Sequence, residues 1–401
     1  MAQKQKRLGM VGSVIIIICC NIIAPLSTDM YMPALPEMAA FFHASDAIMN
    51  LTLIGFFFAF AFGMLVFGPI SDRYGRKPVL TFGVGLYTIM SILCTLAGSL
   101  PLLITARIIQ ALGAGCMVAV SVAMVKELFH GKVQGRVLSI SQTFSGLGPI
   151  IGPPIGALLF HFFGWRSIFA LLIITGAIIL ILCFLLEETL PAENRLTGNV
   201  MSSYLRLGYV LQNRRFSIFL ISMVIVMVPM MAFISASSYI FQNTFNLSPT
   251  AYSIYFAITS LTAVLGPIIY MMITGKNPFA LSFALFVICF VSGLLMLVFG
   301  HVSPLSFAVL EAPAMFIICC TRPFAAEKLL NMQSTDIGSA SAVFNFTQSM
   351  FGGVGMLLIT SVWSDYIHGI SEMLIICSII GFCLCFYLLQ LYGKSSLKST
   401  I

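Results

Sequence analysis

Apolar residues in this chain come in blocks of roughly twenty, broken by short polar stretches, with no sustained alternation of the kind a half-buried strand shows. A helix rising about 1.5 Å per residue needs roughly 20 such residues to cross a hydrocarbon layer about 30 Å thick. On that ruler the pattern predicts spans over 9–32, 48–70, 79–98, 101–123, 138–160 and 165–187. A polar stretch, 188–215, follows. Six more spans are predicted over 216–240, 250–273, 279–299, 303–325, 338–361 and 367–391. The first helix either stops near Met32 or runs on past Pro33 and Pro36 with a bend, since membrane helices absorb proline. The expected fold is an all-α membrane protein of twelve transmembrane helices. They form two six-helix bundles, 1–187 and 216–401, joined by a linker over 188–215.

Composition removes the soluble alternative. Of 401 residues 59% are hydrophobic and 8% are charged, against about 25% charged in an ordinary soluble domain. Mean hydropathy is +1.04. So little polar material cannot cover a water-facing surface, and lipid is the solvent for most of the chain. The eleven cysteines all lie in apolar runs without zinc-ligand spacing, and read as small apolar side chains. The first apolar run follows Lys4, Lys6 and Arg7 but lacks a convincing cleavage site, so it reads as a retained helix and not as a signal peptide.

The net charge is +7, and its placement carries the information. Taking the amino terminus as one side, 17 of the 20 Lys and Arg residues fall there. Arg107 and Arg322 fall within or at the end of spans, and Arg166 falls on the opposite side. The positive-inside rule then makes both termini and the linker cytoplasmic, and an odd number of spans would destroy the alternation. No cluster of basic and exposed aromatic residues suggests nucleic acid.

A short repeat runs through the chain. Gly68-Pro69-Ile70, followed by Gly75-Arg76-Lys77-Pro78, recurs 198 residues later as Gly266-Pro267-Ile268, followed by Gly275-Lys276-Asn277-Pro278. Two related six-span halves imply a pseudo-symmetric transporter.

Five segments carry candidate chemistry. The loop after the second span reads Gly68-Pro69-Ile70-Ser71-Asp72-Arg73-Tyr74-Gly75-Arg76-Lys77-Pro78, and the fourth span holds Arg107-Ile108-Ile109-Gln110-Ala111-Leu112-Gly113. The fifth holds Gly146-Leu147-Gly148-Pro149-Ile150-Ile151-Gly152-Pro153-Pro154-Ile155-Gly156. The first holds Ser27-Thr28-Asp29-Met30-Tyr31-Met32-Pro33, and the sixth opens Trp165-Arg166-Ser167-Ile168-Phe169. Together they resemble the major facilitator superfamily, in particular its twelve-span drug–proton antiporters of the bicyclomycin- and chloramphenicol-resistance branch. The resemblance is detailed in the first half and rests on topology in the second.

The resemblance implies roles. Gly68, Asp72, Arg73, Gly75 and Arg76 would form a cytoplasmic gate latch, with Asp72 facing a helix amino terminus that favours a carboxylate by about 0.3–1 kcal/mol. The alternative is that the basic residues only anchor topology. The loop at Lys276 lacks a matching acid. Gly148, Pro149, Gly152 and Pro153 match the antiporter motif, or else make a packing kink. Ala111 stands where the family pattern has glycine.

Asp29 is the main proton-coupling candidate, since desolvation in a membrane cavity lets a carboxyl group exchange protons near neutral pH. A hydrated, inert carboxylate is the alternative. Arg107, the second coupling candidate, needs either a buried partner or a snorkelling path to water. Tyr31, Gln110 and Glu311 are substrate-cavity candidates; Glu311, resting on no family motif, would bind a cationic substrate or a second proton, and a structural hydrogen-bonded acid is the alternative. Met223, Met227, Met230 and Met231 either line an adaptable pocket or pack. His161, His301 and His368 fall near helix ends.

The expected function is a proton-driven exporter of small amphiphilic, drug-like compounds, embedded in the lipid of a bacterial inner membrane and acting as a monomer. A proton-linked uptake symporter for a metabolite is the alternative, and the Gly148–Gly156 segment argues against it. No phosphate-binding loop of the Gly-x-x-x-x-Gly-Lys type, metal cluster or catalytic triad is found, so no cofactor, metal, ATP or enzyme activity is expected.

Overall fold

The computed structural model describes residues 5, 7–196, 208–273, 278–332 and 337–398. Part of the linker (197–207), the basic residues Lys4, Lys6, Arg206 and Lys276, and the loop at Gly275 lie outside the described residues. Among the described residues twelve helices are long and apolar enough to cross a membrane. They are α1 (Gly9–Phe41), α2 (Asp46–Tyr74), α3 (Arg76–Leu96), α4 (Leu100–Leu128), α5 (Gly131–Phe163) and α6 (Arg166–Leu185). Then come α7 (Arg214–Thr244), α8 (Pro249–Tyr270), α9 (Leu281–Phe299), α10 (Pro304–Leu329), α11 (Ala340–Val362) and α12 (Tyr366–Gln390). Large apolar side chains such as Phe162, Ile181 and Val298 stand exposed, as lipid-facing positions do.

The chain divides into two compact units, Met1–Tyr204 and Leu205–Ile401. In the first, α2 and α3 pack on α4, α3 on α6 and α1 on α5. In the second, α8 and α9 pack on α10, α9 on α12 and α7 on α11. Each pairing of the first unit thus returns six helices later, and the faint sequence repeat becomes a repeat of packing.

The closest crossings repeat as well. A side chain on Gly156 of α5 would collide with the Met30 carbonyl of α1, and one on Gly355 of α11 with the Val228 carbonyl of α7. Met30 and Val228 are 198 residues apart, the spacing of the Gly-Pro-Ile triplets. Small residues permit such backbone approach where no hydrophobic force drives helices together.

Helices α1 and α7 are both interrupted. The first turn of α1 to break follows Asp29. A short 3₁₀ turn, Met32–Ala34, then leads into a last helical piece, Leu35–Phe41. Pro33 and Pro36 each fall in the first turn of a piece, where a missing N–H costs nothing. Helix α7 runs Arg214–Val224, restarts at Met227–Tyr239 with Pro229 in its opening turn, and ends in a π turn, Ile240–Thr244. The bend past Pro33 and Pro36 is therefore present.

Candidate functional site

The chemistry of the first unit gathers where α1 breaks. Asp29 is the last residue before the interruption and is 5% exposed. Its Oδ1 accepts from Thr28 Oγ1 at 3.0 Å. Gly152 of α5 lies against it, where a Cβ would come within 3.0 Å of the Asp29 Cβ. Among the described residues no Lys, Arg or His pairs with this carboxyl group.

Arg107 of α4 is completely buried, which removes the snorkelling alternative. Its Nη1 donates to Gln110 Oε1 (2.7 Å) and its Nη2 to the Ser27 carbonyl (3.0 Å). The guanidinium stands 4.4 Å from the Phe56 ring centre and 4.7 Å from that of Tyr31. Aromatic faces and oriented dipoles, not a carboxylate, stabilise this charge. Its Nε finds no hydrogen-bond partner among the described residues. Gln110 Nε2 continues to Ser91 Oγ at 2.7 Å, and the Tyr31 hydroxyl meets Thr52 Oγ1 at 2.8 Å. Asp29, Tyr31, Arg107 and Gln110 thus lie in one buried neighbourhood, with Tyr31 and Gln110 committed to partners and closed to any open surface.

Glu311 of α10 belongs to the second unit. It is 1% exposed and lies near Cys289 of α9. Its Oε2 finds no hydrogen-bond partner among the described residues. Beside it, Ser292 of α9 donates to the Leu310 carbonyl. Of the α7 methionines, Met223, Met227 and Met230 are buried, and Met231 packs on Gly352 of α11. His301 and His368 bond Asp365 (2.9 Å) and Glu372 (3.1 Å).

The expected latch residues occupy the α2–α3 junction, with one correction. Asp72 does not face a helix amino terminus: it lies in the last turn of α2, and its Oδ1 bonds Arg76 Nη2 at 2.6 Å. The carboxylate at the start of α3 is Glu188, which accepts from the backbone N–H groups of Arg76 (2.8 Å) and Lys77 (3.3 Å). Gly75 turns between the helices at φ +99°, and a Cβ there would strike the Glu188 carboxylate. Arg73 points outward over the Tyr74 ring, and Gly68 sits within α2 with open space around it.

Arg76 is the hub. Besides Asp72 it reaches Glu127 of α4 (2.8 and 2.9 Å) and Ser71 Oγ (2.5 Å). Glu127 in turn accepts from Thr189 Oγ1 at 2.6 Å, and Glu188 pairs with Arg195 at 3.6 Å. The start of the linker is thereby tied to α2, α3 and α4. Glu127, Glu188 and Thr189 escape a reading of the sequence because the partners that tie them to the junction are 51 to 112 positions away; the one available signal is an acid at the end of each of two spans. Among the described residues no group of three His, Cys, Asp or Glu side chains is placed to hold a metal.

Comparison with known proteins adds family and fold. A family model described as Major Facilitator Superfamily matches residues 17–356. The uncharacterized MFS-type transporter YdgK of Bacillus subtilis (strain 168) is 30% identical over 251 residues, 62% of either chain. The multidrug resistance protein MdtL of Escherichia coli O81 (strain ED1a) is 36% identical over 169 residues, covering 42% of this chain and 43% of that relative. The chain therefore matches less than two thirds of the length of these curated relatives. A crystal structure of a D-xylose-proton symporter superimposes with a TM-score of 0.74 at 14% identity, over 94% of this chain and 97% of that one. A bacterial homolog of the human lysosomal transporter Spinster gives 0.69 at 13% identity, over 94% and 96%. At such identities the likeness is one of fold alone.

Proposed function

This chain belongs to the major facilitator superfamily, and from that premise we propose that it exports small amphiphilic, drug-like compounds in exchange for protons by alternating access. It is a multi-pass membrane transporter, not an enzyme. The efflux direction draws support from the relative named a multidrug resistance protein and from the Gly148–Gly156 segment packed on α1.

The observation that carries proton coupling is Asp29. It is buried at a helix break, with a hydroxyl for company and, among the described residues, no cation paired with it. An ionised carboxylate there is costly unless its surroundings change. Proton loss and conformational change are thereby linked. A compound that binds better to the conformation in which Asp29 is ionised will displace the proton, and the reverse holds on the other side. Arg107 holds the Ser27 carbonyl two residues away and so ties α4 to the same break. In this reading Asp72 and Arg76 latch the cytoplasmic ends, and both termini are cytoplasmic.

The test uses the full-length protein in energised everted vesicles. Asp29→Asn should abolish accumulation of a fluorescent amphiphile driven by an imposed proton gradient, while leaving its downhill equilibration. Unchanged gradient-driven accumulation would remove Asp29 from the mechanism.

A further inference from the structure

Helix α5 carries a feature that proton coupling does not use. Lys132, Arg136, Ser139, Gln142 and Thr143 are hydrophilic, and all five are exposed. At about 100° per residue they fall within about 120° of the helix circumference. The residues that touch α1, namely Ser145, Gly148 and Gly152, centre about 150° away on the same wheel. Exposed Val133, Ile140 and Phe144 occupy a separate sector between the two.

The depth of this stripe can be read from the contacts with α1. Ser145 Oγ donates to the Asn21 carbonyl at 2.7 Å, Gly148 lies against Pro25 and Gly152 against Asp29. The two helices rise together in that register. Ser139, Gln142 and Thr143 are consequently level with residues 15–19 of α1, inside the apolar run Val14–Cys20. Thr143 Oγ1 donates to the Ser139 carbonyl of its own helix at 2.9 Å.

An exposed amide and two hydroxyls at hydrocarbon depth are unfavourable against lipid, and such groups face water-filled spaces. The charge on the stripe is one-sided: Lys132 and Arg136 stand at its start, and α5 contains no Asp or Glu. We infer that this face of α5 lines a water-filled passage that admits compounds through neutral or anionic hydrogen-bond acceptors and disfavours permanent cations. The inference rests on the transporter reading and narrows its substrate class.

Single cysteines at Gln142, Thr143 and Phe144 test it in open membrane fragments of the full-length protein, counting label above that of the parent chain. The probes are a matched pair of thiosulfonates, one carrying a sulfonate and one a quaternary ammonium group. Q142C and T143C should react about tenfold faster than F144C in the exposed apolar sector, because thiolates form only where water reaches. Corrected for intrinsic reactivity, the anionic probe should be favoured by about threefold after salt screening. K132Q/R136Q should erase that preference while preserving the fast labelling. Rates at Gln142 and Thr143 no higher than at Phe144 would overturn the passage. Equal rates for the two probes, or a cationic preference, would overturn the charge selection. Labelling needs no proton gradient, so loss of coupled efflux with this pattern intact would count against proton coupling alone.

Discussion

Two carboxylates share the Arg76 guanidinium, and replacing each by its amide should have unequal effects. Glu127 is 17% exposed and meets an Arg76 side chain that is 7% exposed. Asp72 is 48% exposed. Removing one partner of a buried ion pair costs about 3–5 kcal/mol. Asp72 still neutralises part of the charge in Glu127→Gln, which brings the expected loss to about 2–3 kcal/mol. For Asp72→Asn the pair is half in water, and about 0.2–1 kcal/mol is expected. In a unit of this size 1 kcal/mol moves the midpoint by about 2–4 °C. The midpoint of thermal unfolding in detergent should therefore fall by about 4–12 °C for Glu127→Gln and by no more than about 4 °C for Asp72→Asn. Raising the salt to about 0.5 M should erase the Asp72 effect and preserve that of Glu127. Asp72→Asn destabilising as much as Glu127→Gln, or equal salt sensitivity of the two, would refute the burial argument.

Gly156→Ala and Gly355→Ala should each lower the unfolding midpoint, by about 1–3 kcal/mol of overpacking against the Met30 and Val228 carbonyls, while Gly68→Ala, with open space at its Cβ, should be silent in the same measurement. Arg107→Lys keeps the charge but loses the planar fork and its stacking on Tyr31 and Phe56; substrate-driven proton release followed by a pH dye should be lost even though the protein stays folded. Glu311→Gln removes a carboxyl group whose Oε2 has no partner among the described residues, so its midpoint should equal or exceed that of the parent; a clear fall would mean that the acid has a stabilising role.

What could be read from the sequence follows from the range of the forces involved. Span positions depend on local hydropathy, and the twelve helices lie where the apolar blocks put them. The ends shift because polar residues continue a helix beyond the lipid: α2 was expected to stop at Ile70 and continues to Tyr74, which puts Asp72 on a helix and not in a loop. Arg107 announced itself as a charge inside an apolar run. Its aromatic surroundings did not, since Tyr31, Phe56 and Phe169 come from three other helices. The Arg76 hub shows the same limit. Its local partner Asp72 is four residues away, whereas Glu127 and Glu188 reach it only through the packing of α4 and the course of the chain beyond α6.

The paired crossings at Met30–Gly156 and Val228–Gly355 have a chemical corollary. Stepping 198 positions from Asp29 arrives at Met227, a thioether in the site that mirrors an acid. The duplicated scaffold has kept its joints in both copies and specialised the adjoining side chain: one copy holds an ionisable group, the other a soft, deformable surface. Met227→Asp would place a second acid at the matching joint, a direct way to ask how far the two copies differ in what they tolerate.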